Sequence, residues 1–108
     1  MKHRKERIAS AIQEAASKYL ADKKYGDSMV TVTSVSLNDD LSRANIKVTI
    51  YPDSDSENVL KKLNRGRGLF AKYTKEHTRI SLIPLFSFSI DKGELHRQRI
   101  DDISRDLK

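Results

Sequence analysis

Apolar residues recur near the start of the chain with the spacing of one face of a helix. They fall at intervals of three or four residues from Ile8 to Leu20, which predicts an amphipathic helix over this segment. Glu14 and Lys18 lie four residues apart and carry opposite charges, so they add an i,i+4 pair. Gly26 follows shortly afterwards and marks the expected stop.

Two β-branched segments come next and predict a hairpin. Residues 29–37 read MVTVTSVSL, and apolar residues alternate with polar ones from Ala44 to Tyr51, which is the pattern of strands. Between them, residues 38–42 read NDDLS, a composition typical of turns. Pro52 ends the second strand. We expect the two strands to pair antiparallel, through a loop longer than the tightest hairpin turns.

Helical periodicity returns after the second strand and carries an interruption. Ser54 and Glu57 have the spacing of a capping box with Ser54 as the N-cap. The periodic pattern runs to about Thr78, but Gly66 and Gly68 stand in its middle, and each costs roughly 1 kcal/mol relative to alanine inside a helix. The segment therefore predicts two helices joined by a kink or a break.

A third strand is predicted after this helix pair. Phe86, Phe88 and Ile90 alternate with serines, which predicts side chains that face a core, and Pro84 suits the start of a strand. Apolar residues spaced between positions 95 and 107 indicate a short final helix. The length of 108 residues is that of one domain, so we expect a single domain over residues 1–108 with the element order αββααβ.

Composition narrows the class of protein. Hydrophobic residues make up 37% of the chain and charged residues 33%, which allows a modest core under a densely charged surface. The absence of cysteine excludes disulfides, thiol nucleophiles and cysteine-bound zinc. The longest apolar run, residues 80–86, is too short to cross a bilayer, and no apolar stretch follows the basic N-terminal residues. We expect a soluble protein of the reducing cytoplasm.

The net charge of +6 is sorted by region. Residues 59–90 carry seven lysines and arginines against one acid, Glu76; residues 1–7 have a net charge of +3 and residues 38–58 one of −3. Clustered cations displace condensed counterions from phosphates, so this distribution favours a polyanion as the partner. An anionic membrane surface would respond to the same field.

Residues 59–80 separate into two stripes when placed on one ideal helix at about 100° per residue. The cationic stripe, within roughly 40° of one direction, consists of Lys61, Arg65, Lys72, Lys75 and Arg79. The opposite stripe consists of Val59, Leu63, Gly66, Phe70, Tyr73, His77 and Ile80. A solvated face normally mixes charges to gain i,i+4 pairs, and here only Glu76 intervenes. The cationic stripe is a candidate binding face for RNA, with an ordinary solvated face as the alternative.

Two smaller features accompany this stripe. Residues 65–68 read RGRG, and their glycines serve to let the helix pack closely, to bend the chain, or to bring main-chain amides next to a phosphate. Gly66 falls on the inner stripe, which favours packing or bending, whereas Gly68 points outward, which favours bending or a ligand. Arg4 and Arg7, three residues apart on the first helix, form a second basic site or simply a charged arm.

No catalytic or metal-binding pattern is present. Asp39 and Asp40 occupy the predicted turn and have no third ligand at a recognisable spacing. His3, His77 and His96 are scattered along the chain. The sequence therefore predicts no enzymatic activity, no metal and no cofactor.

The order αββααβ, with glycines between two helices and basic residues around them, resembles a type II KH domain. Three segments narrow the resemblance: Arg4-x-x-Arg7-Ile8 with Ile12-Gln13, then VTVTSVSLNDDLSRANIKVTIYP at residues 30–52, then IPLFSFSIDKG at residues 83–93. Together they are similar to the ribosome-binding factor A family over nearly the whole chain. The DLSRA turn between the two strands is the most specific part.

This resemblance implies an α+β fold: a KH type II-like domain with a three-stranded sheet, helices packed on one face and a kinked helix pair. An interhelical kink of Ala-x-Gly form replaces the GxxG loop of KH domains in that family, and Gly66-Arg67-Gly68 stands at its place. The resemblance further implies a non-enzymatic cytoplasmic factor that binds the small ribosomal subunit and its rRNA during late maturation, with roles in rRNA processing and cold adaptation. We expect a monomer when free, with no small-molecule substrate and no membrane partner.

The third strand departs from the family pattern. The family often has Pro-Glu-Leu-x-Phe there and an arginine shortly before the proline. Here residues 84–88 read PLFSF, which lacks the acid, and Ser81 stands at the arginine's position. Contacts made by those two family residues are therefore not transferred to this chain.

The predicted RNA-binding residues are cationic or lie at the kink. They are Arg4, Arg7, Lys61, Lys62, Arg65, Gly66, Arg67, Gly68, Lys72, Lys75 and Arg79. One alternative function is a protein-interaction or regulatory module whose basic face binds an acidic protein partner. Another is a small hydrolase that uses a histidine and an aspartate brought together by folding.

Overall fold

The secondary-structure elements follow the predicted order. A computed structural model describes residues 2–93, and the final helix predicted between positions 95 and 107 lies outside them. The elements are α1 (Lys2–Ala21), β1 (Met29–Leu37), β2 (Arg43–Tyr51), a 3-10 turn (Asp53–Asp55), α2 (Ser56–Arg65), α3 (Arg67–His77) and β3 (Leu85–Ile90). The α+β class and the broken helix pair are both confirmed.

Strand β2 lies at the centre of the sheet. It pairs antiparallel with β1 through the predicted hairpin and parallel with β3, so that Ile46 lies opposite Val35 on one side and Phe88 on the other. A parallel pair needs a crossover between its strands, and the α2–α3 segment supplies it. A bulge between Val32 and Ser34 interrupts the register of β1.

The core lies between one face of the sheet and the helices. In β2 the alternate side chains Ala44, Ile46, Val48 and Ile50 are buried, as strand periodicity predicts. The other face of the sheet is polar: Asn45 Nδ2 donates to Ser87 Oγ at 3.0 Å and Ser89 Oγ donates to Asn45 Oδ1 at 2.8 Å. Within residues 2–93, the helices therefore cover only one side of the sheet.

Phe70 connects helix α3 to the rest of the core. Its side chain is fully buried, and its ring lies 5.3 Å from that of Tyr19 on α1, 4.7 Å from Phe86 and 5.9 Å from Phe88 (centroid distances). These are distances at which aromatic pairs attract each other beyond simple burial. The predicted core roles of Phe86 and Phe88 are confirmed.

Helix α2 is attached to β3 by the side-chain amide of Asn64. Its Oδ1 accepts a hydrogen bond from the main-chain N–H of Phe88 at 2.8 Å, and its Nδ2 donates to the main-chain oxygen of the same residue at 3.1 Å. Nδ2 also lies 3.2 Å from the main-chain oxygen of Leu60. One side chain thus satisfies both main-chain groups of Phe88.

The predicted capping box is wrong. The chain first makes the 3-10 turn, so Ser54 lies inside that turn and the N-cap of α2 is Asp55, which makes no side-chain capping bond. The Asp55 carboxylate instead accepts a hydrogen bond from Asn58 Nδ2 at 2.8 Å. The extra turn after Pro52 moves the helix start beyond the residue that the pattern selects.

The inner stripe of α3 also differs from the prediction at one position. His77 was expected to face the core but is exposed, whereas Thr74 is completely buried. Thr74 Oγ1 donates to the main-chain oxygen of Phe70 at 2.9 Å, which satisfies its hydroxyl. The helices are separate, so a stripe drawn on one continuous helix does not hold its direction across Gly66.

Replacing Phe70 by alanine should destabilise the protein by about 3–5 kcal/mol, because a large cavity would open between α3, α1 and β3. Urea unfolding followed by circular dichroism measures this free energy. Leu69→Ala is the matched control, since Leu69 is 66% exposed and its truncation should change stability by less than about 0.5 kcal/mol. Equal losses in the two variants would contradict this account of the core.

Candidate nucleic-acid interface

Helices α2 and α3 present cationic side chains to solvent. All of those predicted from the sequence are exposed: Lys61, Lys62 and Arg65 on α2, and Arg67, Lys72 and Lys75 on α3. Among the described side chains, which are those of residues 4–93, the ion pairs are Lys5–Asp39 and Lys18–Glu14, so none of these six cations has an acidic partner there. Their charge is available to an external anion.

The two glycines are not demanded by local packing. Gly66 separates α2 from α3 with φ −89° and ψ 8°, and its N–H donates to the main-chain oxygens of Lys62 and Leu63. A Cβ added at Gly66 would lie 3.5 Å from the nearest of these oxygens, an ordinary contact, and one added at Gly68 would meet nothing within 4 Å. Close packing therefore explains neither glycine.

Arg79 lies beside the same groove as Arg4 and Arg7, although it is far from them in the sequence. They line a groove of about 440 Å³ between the start of α1, the β1–β2 turn and the segment that precedes β3. The other lining residues are Ile8, Ala11, Asp40, Leu41, Ile80, Ser81, Leu82 and Pro84. We call this feature the arginine groove. It divides the predicted basic residues into two groups, because the six cations on α2 and α3 do not line it.

The β1–β2 turn contributes a carboxylate to the arginine groove. Asp40 Oδ1 accepts hydrogen bonds from Ser42 Oγ at 2.6 Å and from the Ser42 main-chain N–H at 3.1 Å. These bonds, the side-chain one first, lower the pKa of Asp40 below its ordinary value of 3.8. Asp40 therefore remains an ionised acceptor in a fixed position. Its role in the turn was predicted from the sequence; its place in the groove was not.

Leu41, next in the same turn, has a backbone conformation that is unusual for its type. Its φ is +62°, in the left-handed region that costs a residue with a Cβ roughly 1–2 kcal/mol. The side chain is half-buried and packs at the margin of the core, where it also lines the arginine groove. The turn thus holds an apolar side chain in the groove against a local backbone preference.

His77 lies in a second groove, between α1 and α3. This groove of about 400 Å³ includes Glu14, Lys18, Tyr73 and His77. The His77 ring stacks on that of Tyr73 with centroids 4.0 Å apart, and its Nδ1 lies 2.9 Å from the Tyr73 main-chain oxygen. Within residues 4–93, no carboxylate lies within ion-pair distance of His77, so His77 does not form there the histidine–aspartate pair that the hydrolase alternative requires.

Two other features are absent from the part of the chain that the structure describes. No group of three or more histidine or acidic side chains is placed to hold a metal ion. None of its helices is both long enough and apolar enough to cross a membrane.

The fold is that of a small α+β domain with the element order of type II KH domains, and it carries exposed cationic surfaces. Residues 4–104 match the family model of ribosome-binding factor A, and the chain belongs to that family. Proteins of this name from Carboxydothermus hydrogenoformans and Geobacter metallireducens are 32% and 30% identical to it. These alignments cover 98% and 99% of this chain and 87% and 93% of the relatives.

Solved structures agree with the fold. The crystal structure of ribosome-binding factor A from Thermus thermophilus superposes with a TM-score of 0.71 at 18% identity, over 80% of this chain and 93% of the other. A homology model of the Thermus thermophilus protein, fitted into a cryo-EM map of a 30S complex, matches with a TM-score of 0.67 at 18% identity, over 75% and 88% of the two chains. At this identity the likeness establishes the shared fold.

The substitution Gly68→Ala should not destabilise the protein and should raise the free energy of unfolding by about 0.5 kcal/mol. The added methyl group has free space, and alanine loses less backbone entropy in a helix than glycine does. Chemical denaturation measures the change. A loss of more than about 1 kcal/mol would show that the backbone requires glycine at this position.

The Asp40 pKa should rise toward 3.8 in Ser42→Ala, because the shortest hydrogen bond to its carboxylate is lost. A carboxyl group with a lowered pKa stabilises the fold above its unfolded pKa, and this contribution disappears as the pH falls through the folded pKa. A carbon-13 NMR titration of the side-chain carboxyl group measures the shift. The control Ser36→Ala, on β1, should leave the Asp40 titration unchanged; an identical titration in Ser42→Ala would refute the assignment.

Proposed function

We propose that this protein binds the small ribosomal subunit through its rRNA and assists late maturation of that subunit. The observation that carries the proposal is the set of exposed cations on α2 and α3 that have no acidic partner among the described residues, in a member of the ribosome-binding factor A family. The Thermus thermophilus relative fitted into a 30S complex supports the same partner.

The proposed contacts are electrostatic and follow the shape of the RNA. Lys61, Lys62 and Arg65 on α2, and Arg67, Lys72 and Lys75 on α3, bind phosphates, while Gly66 sets the relation between the two helices. Gly68, exposed and without a packing role, lets the RNA backbone approach the start of α3. Phosphate contacts position a protein on nucleic acid without reading its sequence, so recognition rests on the arrangement of the rRNA.

Arg4, Arg7 and Arg79 extend this surface at the arginine groove. These three arginines are separate from the six cations on α2 and α3, and they add positive charge near the start of α1. In this proposal the protein is cytoplasmic, and it is a monomer when it is not bound to the subunit. It catalyses no reaction and is needed for rRNA processing, above all in the cold.

Charge reversal at Arg65, Arg67 and Lys72 should weaken binding to purified small subunits and to rRNA fragments of any sequence. Each lost phosphate contact should reduce the slope of log K against log salt by about 1, hence by about 3 for the triple variant. Filter binding at several salt concentrations measures the slope, and co-sedimentation measures binding to subunits.

The matched control reverses Lys24, Arg43 and Lys47, which are exposed elsewhere and give the same change in net charge. It should retain most of the binding. Equal losses in both triple variants would show that only total charge matters, and a flat salt dependence of the unmodified protein would refute the phosphate contacts. Affinity purification without nuclease that recovers an acidic protein but no RNA would favour the protein-interaction alternative.

Complementation addresses the maturation step itself. In a bacterial strain that lacks its own family member, the unmodified chain and the control variant should restore growth in the cold and reduce immature small-subunit rRNA, whereas the Arg65, Arg67 and Lys72 variant should not. If all three chains restored growth, subunit maturation would not depend on the proposed RNA-binding surface.

A further inference from the structure

We propose that the arginine groove binds one unpaired nucleotide of RNA, with its phosphates on the arginines and its base against the apolar floor and Asp40. This inference rests on the proposed function and goes beyond it, because it assigns a base-reading site to a surface otherwise described only by charge. The groove lies at the start of α1 and is lined by none of the six cations on α2 and α3.

In this proposal the three arginines of the groove bind the phosphates of the nucleotide. Within residues 2–93, no acid lies within ion-pair distance of Arg4, Arg7 or Arg79, so their guanidinium groups are free to bind an anion. Guanidinium binds phosphate with two parallel hydrogen bonds and is more weakly hydrated than an ammonium group. Three guanidinium groups around one groove are more than a single phosphate needs. They can bind both of the phosphates that flank one nucleotide in an RNA strand.

In this proposal the base packs against the apolar side chains of the groove. Ile8, Leu41, Ile80 and Pro84 line the groove, and Leu82 stands at it with 84% of its surface exposed. The held conformation of Leu41 is of a kind that concentrates at ligand-binding positions. Guanidinium planes also stack on unpaired bases. The apolar side chains thus offer a surface that a phosphate alone would not use.

The size of the groove limits the ligand. Its volume of about 440 Å³ falls in the usual range of small-molecule sites, roughly 300–1,000 Å³. A duplex keeps its bases stacked and paired, whereas single-stranded segments can turn a base outward into a protein site. The groove therefore fits a nucleotide from a loop, a bulge or an RNA end.

Asp40 selects among bases. Guanine, cytosine and adenine each carry an exocyclic amino group that donates hydrogen bonds, whereas uracil has no amino group and only its ring N3–H as a donor. Asp40 is held in position by Ser42 and, as a carboxylate, can only accept. A nucleotide satisfies both charges of the groove, since phosphate meets arginine and an amino group meets Asp40. An acidic peptide side chain would satisfy the arginines but repel Asp40.

The test uses five-nucleotide RNAs of sequence UUXUU, in which X is G, A, C, U or an abasic residue. Titration into the full chain is followed by NMR of the methyl groups of Ile8, Leu41, Ile80 and Leu82, all of which line the groove. We expect binding with G, A or C at least about five-fold tighter than with U, and still weaker binding of the abasic strand. Arg79→Gln should weaken all five strands.

Two acid variants test the role of Asp40. Asp40→Asn should reduce the preference over uracil, whereas Asp39→Asn, which removes the neighbouring acid of the same turn, should preserve it. Equal binding of the abasic strand, equal binding of a short RNA duplex at the same methyl groups, or an unchanged ranking in Asp40→Asn would each overturn the proposal. The proposal would also be overturned if an acidic, leucine-containing peptide bound the arginine groove more tightly than the RNA strands do.

Failure of this proposal is distinguishable from failure of the proposed function. The same titrations in the Arg65, Arg67 and Lys72 charge-reversal variant should leave the ranking of bases intact, because the groove does not include those residues. If small subunits bind but the base ranking is absent, the groove proposal alone fails. If the unmodified chain binds the five-nucleotide strands but not subunits, the proposed function fails.

Discussion

Phe70 joins three parts of the fold through one buried ring. It meets Tyr19 on α1 and both Phe86 and Phe88 on β3, so the position of α3 is set by aromatic packing from one side. Because α3 can bury only that side, its lysines are left facing water. The chain contains just three phenylalanines, and all of them are used in this contact. The cationic surface is in this sense a product of the core beneath it.

The break at Gly66 permits α2 and α3 to satisfy different neighbours. Helix α2 reaches β3 through Asn64, and α3 reaches α1 and β3 through Phe70. One straight helix through Gly66 would have a single buried face, so both halves would have to face the same neighbours. The exposure of His77 and the burial of Thr74 show that the second helix follows its own packing.

The elements themselves could be predicted because local periodicity reports burial directly. The alternation in β2 and the glycine interruption near position 66 are properties of short segments, and both correspond to what is observed. The arginine groove could not be predicted in this way, since Arg7 and Arg79 meet only after the chain has folded. The capping box failed for a related reason: several polar residues after Pro52 suit a helix start, and the 3-10 turn decides between them. The family resemblance indicates the proposed partner, which periodicity alone leaves open.

Asn64 has a further consequence for how molecules of this protein meet one another. The outer edge of a sheet is a template on which a strand from another chain can add, and exposed edges are a common origin of aggregation. A carboxamide has a donor and an acceptor side by side, much as a peptide unit does, and Asn64 turns both toward Phe88 on the outer strand β3. Through this one residue, helix α2 occupies the main-chain groups of Phe88 that an added strand would have to bind. Edge-to-edge association of β3 is therefore blocked at this point.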